Sequence, residues 1–457
     1  MEWNGKTVLV LGLGDSGLSS IRWLEKHGAE VRAADTREAP PALGVVEGEH
    51  PLVPVALGAF EPALLAGVDT IVASPGLALR EPFLRQAVER GIEVVGDIEI
   101  FAREIARAGK ARVLGITGTN GKSTVTALAC GMARAAGLRA HAVGNIGVPV
   151  LDMLEAALVH NKDGVEEVWV VELSSYQLET TSSLALDAAT VLNVTQDHMD
   201  RYDSMREYAA AKERIFMNCR SRVLNRDDPV SLGMSRDAAD VTTFGLGVPK
   251  HDGEWGLDEK RKRLMGGSRE LLGVDEIPIP GLHNAANVLA AHALGSAIGL
   301  PDRQMATAIR QFRGLPHRVE LVAEARGVRF YDDSKGTNVG ASVAALEGFT
   351  SPVVLIAGGD GKGQDFSPLA PAVKAHARAV ILIGRDAGVL EQALSATGVT
   401  LLRAGTMEEA VAAAHSAARA GDAVLLSPAC ASLDMFRNYG HRGDVFAAAA
   451  RRVAGAL

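Results

Sequence analysis

The segment ITGTNGKSTVTAL, from Ile116 to Leu128, constrains the fold more than any other stretch of the chain. An apolar strand pattern runs into a glycine turn and a lysine, and then into an amphipathic helix pattern, so strand must pass to helix through a tight loop. Backbone N–H groups of such a loop, with the positive end of the following helix, form a concavity that suits a polyphosphate. ATP is therefore the first ligand expected. The usual phosphate loop, G-x-x-x-x-G-K-[ST], would need glycine where Ile116 stands, whereas here the glycine falls at Gly118.

Around that segment the chain alternates short apolar runs with helical patterns. KTVLVLGLG, AEVRAAD, DTIVASPG and IEVVGD make a first series; ARVLGITGT, VEEVWVVELSS, DAATVLNVT and SRVLNRDD make a second; RFYDDS, PVVLIAGG, AVILIG, TLLRAG and DAVLLSPA make a third. Such alternation predicts parallel sheets with crossover helices, and 457 residues fit about three domains. The expected fold is α/β in three domains: a Rossmann-like N-terminal domain over residues 1–108, a central P-loop-type ATPase over 109–314, and a Rossmann-like C-terminal domain over 315–457. Between Gly247 and Pro280 the pattern turns polar and irregular, which predicts an edge hairpin with loops.

Charge narrows the partners. Lys and Arg total 47 against 55 Asp and Glu, and the net charge of −8 argues against nucleic acid held by bulk electrostatics. Cys130, Cys219 and Cys430 lie far apart without paired spacing, so neither a disulfide framework nor a zinc site is expected, and a reducing cytoplasm fits. MEWNGKTVLVLG runs straight into a strand, with no pattern for export or membrane insertion.

Several residues carry chemistry by type and place. The Lys122 ammonium can reach β and γ phosphates, and Ser123 offers a hydroxyl to magnesium. Glu172 ends the strand VWVVE on the side where α/β sheets place their sites. His198 lies just past another strand with Asp197 and Asp200 beside it, as a metal ligand or a proton acceptor. Lys212, in the helical stretch SMREYAAAKERIF, reads by periodicity as solvated. GLGDSG, with Gly12, Gly14 and Gly17, fits G-x-G-x-x-G, and Asp35 ends the next strand; this suits NAD, or a different nucleotide diphosphate by the same physics. In the last third, Asp333, Lys335 and Thr337, then Lys362, then Ser432 sit in loops after apolar strands, a set able to neutralise phosphate and carboxylate charge.

With TGTNGKST, ELSSYQLE, DHMDRY, AAAKERIF, GLHNAANVLAA, GLPHRVE, DDSKGTN, GGDGKG and SPACASLDMF in this order, the chain resembles the Mur ligases of peptidoglycan synthesis from Gly12 to about Gly443. The DDSKGTN and SPACASLDMF pair is similar to the branch that adds D-glutamate. TGTNGKS is that family's form of the phosphate loop. The resemblance implies an ATP-dependent amide-forming ligase that joins D-glutamate to UDP-N-acetylmuramoyl-L-alanine through an acyl phosphate, in the cytoplasm and as a monomer.

It also implies roles. Thr117, Gly118, Thr119, Asn120, Gly121, Lys122, Ser123 and Thr124, with Asn284, Asn287, Arg318 and Asp333, would hold ATP. Ser123, Glu172, His198 and a carbamylated Lys212 would serve two magnesium ions, and Lys122, Glu172, His198 and Lys212 would form the catalytic set. Gly14, Asp15, Ser16, Asp35, Thr36, Arg37, Ser74 and Gly76 would line the uridine-nucleotide site, with Asn145 on the muramoyl-alanine portion. Lys335, Thr337, Lys362, Ser432 and Tyr439 would bind D-glutamate. Two positions depart from the family pattern: Tyr439 stands for phenylalanine, and Asp15 puts an anion near a diphosphate unless it turns outward. The C-terminal domain is expected to close when ATP binds. Alternatives are another amino-acid ligase of the Mur or folylpolyglutamate synthetase type, an NAD-dependent oxidoreductase, and a nonenzymatic ATP-dependent regulator.

Overall fold

The computed structural model describes residues 2–109, 111–160, 166–236, 240–279 and 281–455. Each of the three series of apolar runs forms its own sheet. The first contains β1 (Thr7–Leu11), β2 (Glu30–Asp35), β3 (Val55–Leu57), β4 (Thr70–Ala73) and β5 (Glu93–Val95), in the order β3-β2-β1-β4-β5. All its pairings are parallel. The second contains β6 (Ala111–Thr117), β7 (Arg139–Gly144), β8 (Glu167–Glu172), β9 (Leu186–Val191), β10 (Cys219–Asn225), β11 (Val241–Phe244), β12 (Glu254–Leu257), β13 (Arg263–Gly266) and β14 (Arg269–Gly273). Its order is β14-β13-β12-β11-β10-β9-β6-β8-β7. The polar segment after Gly247 thus contributes three strands, whose last two pairings are antiparallel and extend one edge. The third sheet contains β15 (Glu320–Ala325), β16 (Val328–Asp332), β17 (Val353–Gly358), β18 (Ala377–Ile383), β19 (Thr400–Arg403) and β20 (Ala423–Leu426), in the order β15-β16-β20-β17-β18-β19. The fold is three α/β domains, as expected.

Strands covered by helices on both faces need apolar residues throughout, not in alternation. EVWVVE in β8 and VVLIAG in β17 are buried along their whole length. The helix Lys122–Ala135 shows the other period: Val125, Leu128, Ala129 and Met132 recur on its buried face. Among the described residues no helix is long and apolar enough to cross a membrane.

The domains join in two different ways. One apolar core runs from the first sheet into the second, through Trp23, Ile98, Phe101, Trp169 and Leu186. Phe101, on the helix Asp97–Ala108, meets Trp169 of β8 edge-on at 5.2 Å. Glu99 on the same helix accepts the N–H groups of Ser182 and Ser183 at 2.7 and 3.0 Å. The third sheet instead has cores of its own on each face. It meets the second domain through polar side chains at the carboxyl ends of the strands, where α/β sheets place their sites.

Candidate active site

The phosphate loop takes its shape from the strand beside it. Gly118 adopts φ +146°, and a Cβ there would stand 3.0 Å from the Leu192 Cβ. The loop N–H groups of Thr119 and Asn120 donate to the Asn193 carbonyl and to Asn193 Oδ1, at 2.9 and 2.8 Å. Lys122 Nζ donates to the carbonyls of Gly118 and Thr119, both at 2.8 Å, and burial pushes its pKa down to about 8. Thr119 faces inward, donating to the Thr195 carbonyl and standing 3.3 Å from the Tyr208 hydroxyl, so it supports the loop from beneath. Thr117 is fully buried at the end of β6. Ser123 Oγ accepts from Arg318 Nη2 at 2.9 Å, which ties the loop to the third domain.

Beside the loop lies an acidic and imidazole cluster. Glu172 is buried; Oε1 accepts from Asn145 Nδ2 at 3.1 Å, while Oε2 has no hydrogen-bond partner among the described residues. An orphaned buried carboxylate oxygen fits a hard cation such as magnesium. His198 sits at φ +57°, with Nδ1 2.8 Å from the Tyr176 hydroxyl. Burial pushes its pKa down to about 4 against the pull of Asp197, so the ring is neutral and able to ligate. Lys212 is only 1% exposed, where periodicity predicted a solvated lysine. Its Nζ donates to the Gly118 carbonyl at 3.0 Å, and burial, then Lys122, push its pKa well below the usual lysine range.

On the outer side of the loop a cavity of about 330 Å³ runs between the second and third domains. Asn120, Asn287, Arg318 and Asp333 line it, with the apolar walls Phe244 and Phe312. Asn287 Nδ2 donates to Asn284 Oδ1 at 3.2 Å. Asp333 accepts from Ser427 Oγ at 2.7 Å, and burial raises its pKa to about 7. The aromatic walls come from separate segments whose apolar residues carry no local mark in the sequence.

The N-terminal glycine loop meets a second, open cavity of about 640 Å³, lined by residues of all three domains. Asp15, Ser16, Asn145, Arg318, Lys335 and Tyr439 are among its walls, so Asp15 faces the cavity. Gly12 is held by contact: a Cβ there would come within 2.6 Å of the Ser74 Cβ. Asp35 is committed to its own surroundings. It accepts from the Leu13 N–H at 2.7 Å, from the Arg37 N–H and Nε at 2.9 Å each, and from Arg37 Nη2 at 2.6 Å. The Arg37 bonds hold its pKa down at about 2. Gly76 turns its carbonyl toward Arg201 Nη1, 3.2 Å away.

The third domain closes the site. Lys335 Nζ lies 3.7 Å from the centre of the Tyr439 ring, so the phenol that departs from the family pattern keeps a cation–π face. Thr337 donates its N–H to the Lys335 carbonyl, and Ser432 is buried. Lys362, at φ +50°, reaches across the domain boundary to Asp197 Oδ1 at 3.0 Å. Burial works against the Asp197 carboxylate, but the charge and hydrogen bond of Lys362, with the charge of Lys122, outweigh it and hold its pKa low. Asn338 and Asn120 exchange side-chain hydrogen bonds of 3.2 and 3.0 Å across the same boundary.

Sequence reading missed Arg442. It is fully buried in the helix Tyr439–Val453, with donors on Ser334 Oγ, Ser334 O, Cys430 O and Ala431 O at 2.8–3.2 Å. It joins the DDSKGTN and SPACASLDMF loops, and nothing in its local pattern separates it from a surface arginine.

Comparison with known proteins agrees with this arrangement. Residues 6–96 match the Mur ligase MurD-like N-terminal domain, residues 116–295 the Mur ligase middle domain, and residues 317–430 the Mur ligase glutamate ligase domain. A UDP-N-acetylmuramoylalanine--D-glutamate ligase of Methylobacillus flagellatus is 53% identical over 448 residues, 98% of this chain and 97% of that one. The protein of that name from Thiobacillus denitrificans is 52% identical over 466 residues, 99% and 98% of the two chains. Among solved structures, UDP-N-acetylmuramate-alanine ligase MurC from Thermotoga maritima superposes with TM-score 0.59 at 18% identity, over 98% of each chain. MurF ligase from the same organism, in complex with ADP, superposes with TM-score 0.58 at 15% identity, over 99% of this chain and 96% of that one. These two likenesses bear on the fold. Matched by family across all three domains and by relatives over nearly its full length, the chain belongs to the Mur ligases.

Proposed function

We infer that the chain is an ATP-dependent ligase that joins D-glutamate to UDP-N-acetylmuramoyl-L-alanine, forming ADP and phosphate. The observation that carries this reading is the convergence of the Lys122 loop, the orphaned Glu172 oxygen and the Lys335–Tyr439 pair around adjoining cavities, where an acyl donor and an amine can meet. The substrates follow from the relatives' names.

A carboxylate resists amines because it is anionic and its oxygen leaves poorly. The L-alanyl carboxylate attacks the γ-phosphate of ATP, giving an acyl phosphate and ADP; Lys122 draws charge off the transferring group. The D-glutamate amine, once deprotonated, attacks the acyl carbon, and the tetrahedral oxyanion collapses as phosphate leaves. Ser123, Glu172 and His198, with Lys212 as a carbamate, would hold two magnesium ions, which supply positive charge beside the phosphates. A neutral amine is what adds carbon dioxide, and burial favours the neutral form of Lys212. Asn120, Asn284, Asn287, Arg318 and Asp333 would contact the nucleotide, Asp35, Thr36, Arg37, Ser74 and Gly76 the uridine carrier. Lys335, Thr337, Lys362, Ser432 and Tyr439 would take D-glutamate.

We place the domain divisions at 108/109 and 314/315, since each sheet falls wholly within one of these spans. Closure of the third domain on ATP, a monomeric state and a cytoplasmic location belong to the same reading; the three cysteines are free thiols. An NAD-dependent oxidoreductase is disfavoured because it leaves the Lys122 loop, the Glu172 carboxylate and His198 without a role. Phosphate release with UDP-N-acetylmuramoyl-L-alanine and ATP, across D-glutamate, L-glutamate and other amino acids, tests the reading. Release with D-glutamate alone is expected; release indifferent to the amino acid, or none, overturns it.

A further inference from the structure

Arg201 is 10% exposed in its side chain, and its two terminal nitrogens reach the loop after β4 and the helix Ser175–Glu179. Nη1 donates to the Gly76 carbonyl at 3.2 Å, and Nη2 to the Leu77 carbonyl at 3.1 Å and to Glu179 Oε2 at 2.7 Å. Gly76 and Leu77 belong to the loop after β4 in the first domain, beside Ser74. The guanidinium face lies 4.4 Å from the centre of the Tyr176 ring, and the Tyr176 hydroxyl is the group bonded to His198 Nδ1. Tyr202 donates to the other oxygen of Glu179 at 2.7 Å, which fixes the carboxylate that Arg201 grips.

His198 needs such support. A non-glycine residue at φ +57° is held only when its surroundings over-determine it. Its carbonyl accepts the N–H groups of Arg201 and Tyr202, at 3.0 and 3.1 Å, so backbone and ring are both secured by the same short stretch. An imidazole that ligates through Nε2 carries its proton on Nδ1, and a fixed acceptor there sets the ring's orientation. In that tautomer the Tyr176 oxygen, 2.8 Å from Nδ1, is the acceptor.

We propose that Arg201, acting through Tyr176, is a positioning residue that ties the uridine-side loop Gly76–Leu77 to the orientation of His198. It lines neither of the two cavities. A guanidinium can bridge two carbonyls, pair with a carboxylate and stack on a ring at once, whereas a lysine ammonium cannot. This inference rests on the reaction proposed above.

Four variants test it: Arg201→Met, Arg201→Lys, Tyr176→Phe and the double Arg201→Met/Tyr176→Phe. Binding of UDP-N-acetylmuramoyl-L-alanine is read by calorimetry without ATP or magnesium, and kcat and the KM for ATP by phosphate release. Losing a group that orients a ligating histidine lowers activity about 10–100-fold. Arg201→Met is expected to lower kcat in that range and weaken the uridine substrate about tenfold, with the KM for ATP within about twofold of wild type. Arg201→Lys should not rescue it. Tyr176→Phe, which keeps the ring, should lower kcat while leaving uridine-substrate binding unchanged, and the double variant should have no lower kcat than Arg201→Met. A wild-type protein inactive with D-glutamate would sink the proposed reaction. Active wild type with unaltered Tyr176→Phe kcat, full rescue by lysine, or additive losses would overturn this inference alone. Should Arg201→Met fail to fold, the Tyr176→Phe result decides.

Discussion

Replacing Asp35 with asparagine should cost stability by an amount its hydrogen bonds define. The carboxylate takes two donors from the Arg37 guanidinium and the N–H groups of Leu13 and Arg37, and its pKa falls from an ordinary 3.8 to about 2. That difference corresponds to about 2.4 kcal/mol in favour of the ionised form. Arg37 is 53% exposed, so solvent screens the pair, and about 1–2 kcal/mol is the better figure. Because the folded-state value is depressed, the contribution is fully present above about pH 4 and lost as the pH falls toward 2. The first two domains share a core and should melt together. For a unit that large, Asp35→Asn should lower the melting temperature by about 1.5–3 °C. Scanning calorimetry at pH 5 and pH 8 should give the same gap at both. A gap below half a degree (~0.5 °C), or one that widens steadily between pH 5 and 8, would refute the assignment of this energy to the ionised Asp35.

Other perturbations read other parts of the site. Lys362→Met removes the ammonium proposed to meet a D-glutamate carboxylate, a charge-assisted bond worth about 1.5–3 kcal/mol, so the KM for D-glutamate should rise at least about tenfold; a change under twofold would contradict the placement. Asp333 has a raised pKa of about 7, so its contribution to stability is present below about pH 4 and lost as the pH rises through 7. Thermal melts at pH 5 and 8 should therefore show Asp333→Asn gaining on wild type at the higher pH, and parallel curves would count against it. Glu172→Gln keeps the shape and the Asn145 contact but loses the anionic oxygen. It should lower kcat by about 100-fold or more and raise the magnesium needed for half-maximal rate.

What local chemistry decides was legible before the structure. The Gly118 and Gly121 turn, Lys122 and the carboxyl-end position of Glu172 follow from strand, turn and helix patterns within a few residues. What tertiary packing decides was not. Periodicity puts Lys212 in water, and only the approach of its helix to the Gly118 carbonyl buries it. Arg442 looks like any helical arginine until two loops far apart in sequence present it with four oxygens. The grip of Arg201 on Gly76 and Leu77 spans some 125 residues and depends on how two sheets share a core. Phe101 and Trp169, which make that core continuous, are plain apolar positions in their own segments.

The acyl-phosphate route is tested most directly by oxygen transfer. UDP-N-acetylmuramoyl-L-alanine labelled with heavy oxygen in its alanyl carboxylate is incubated with ATP and D-glutamate, and the released phosphate is analysed by mass spectrometry. One labelled oxygen in each phosphate is the predicted result. Amide product accompanied by unlabelled phosphate would contradict the account.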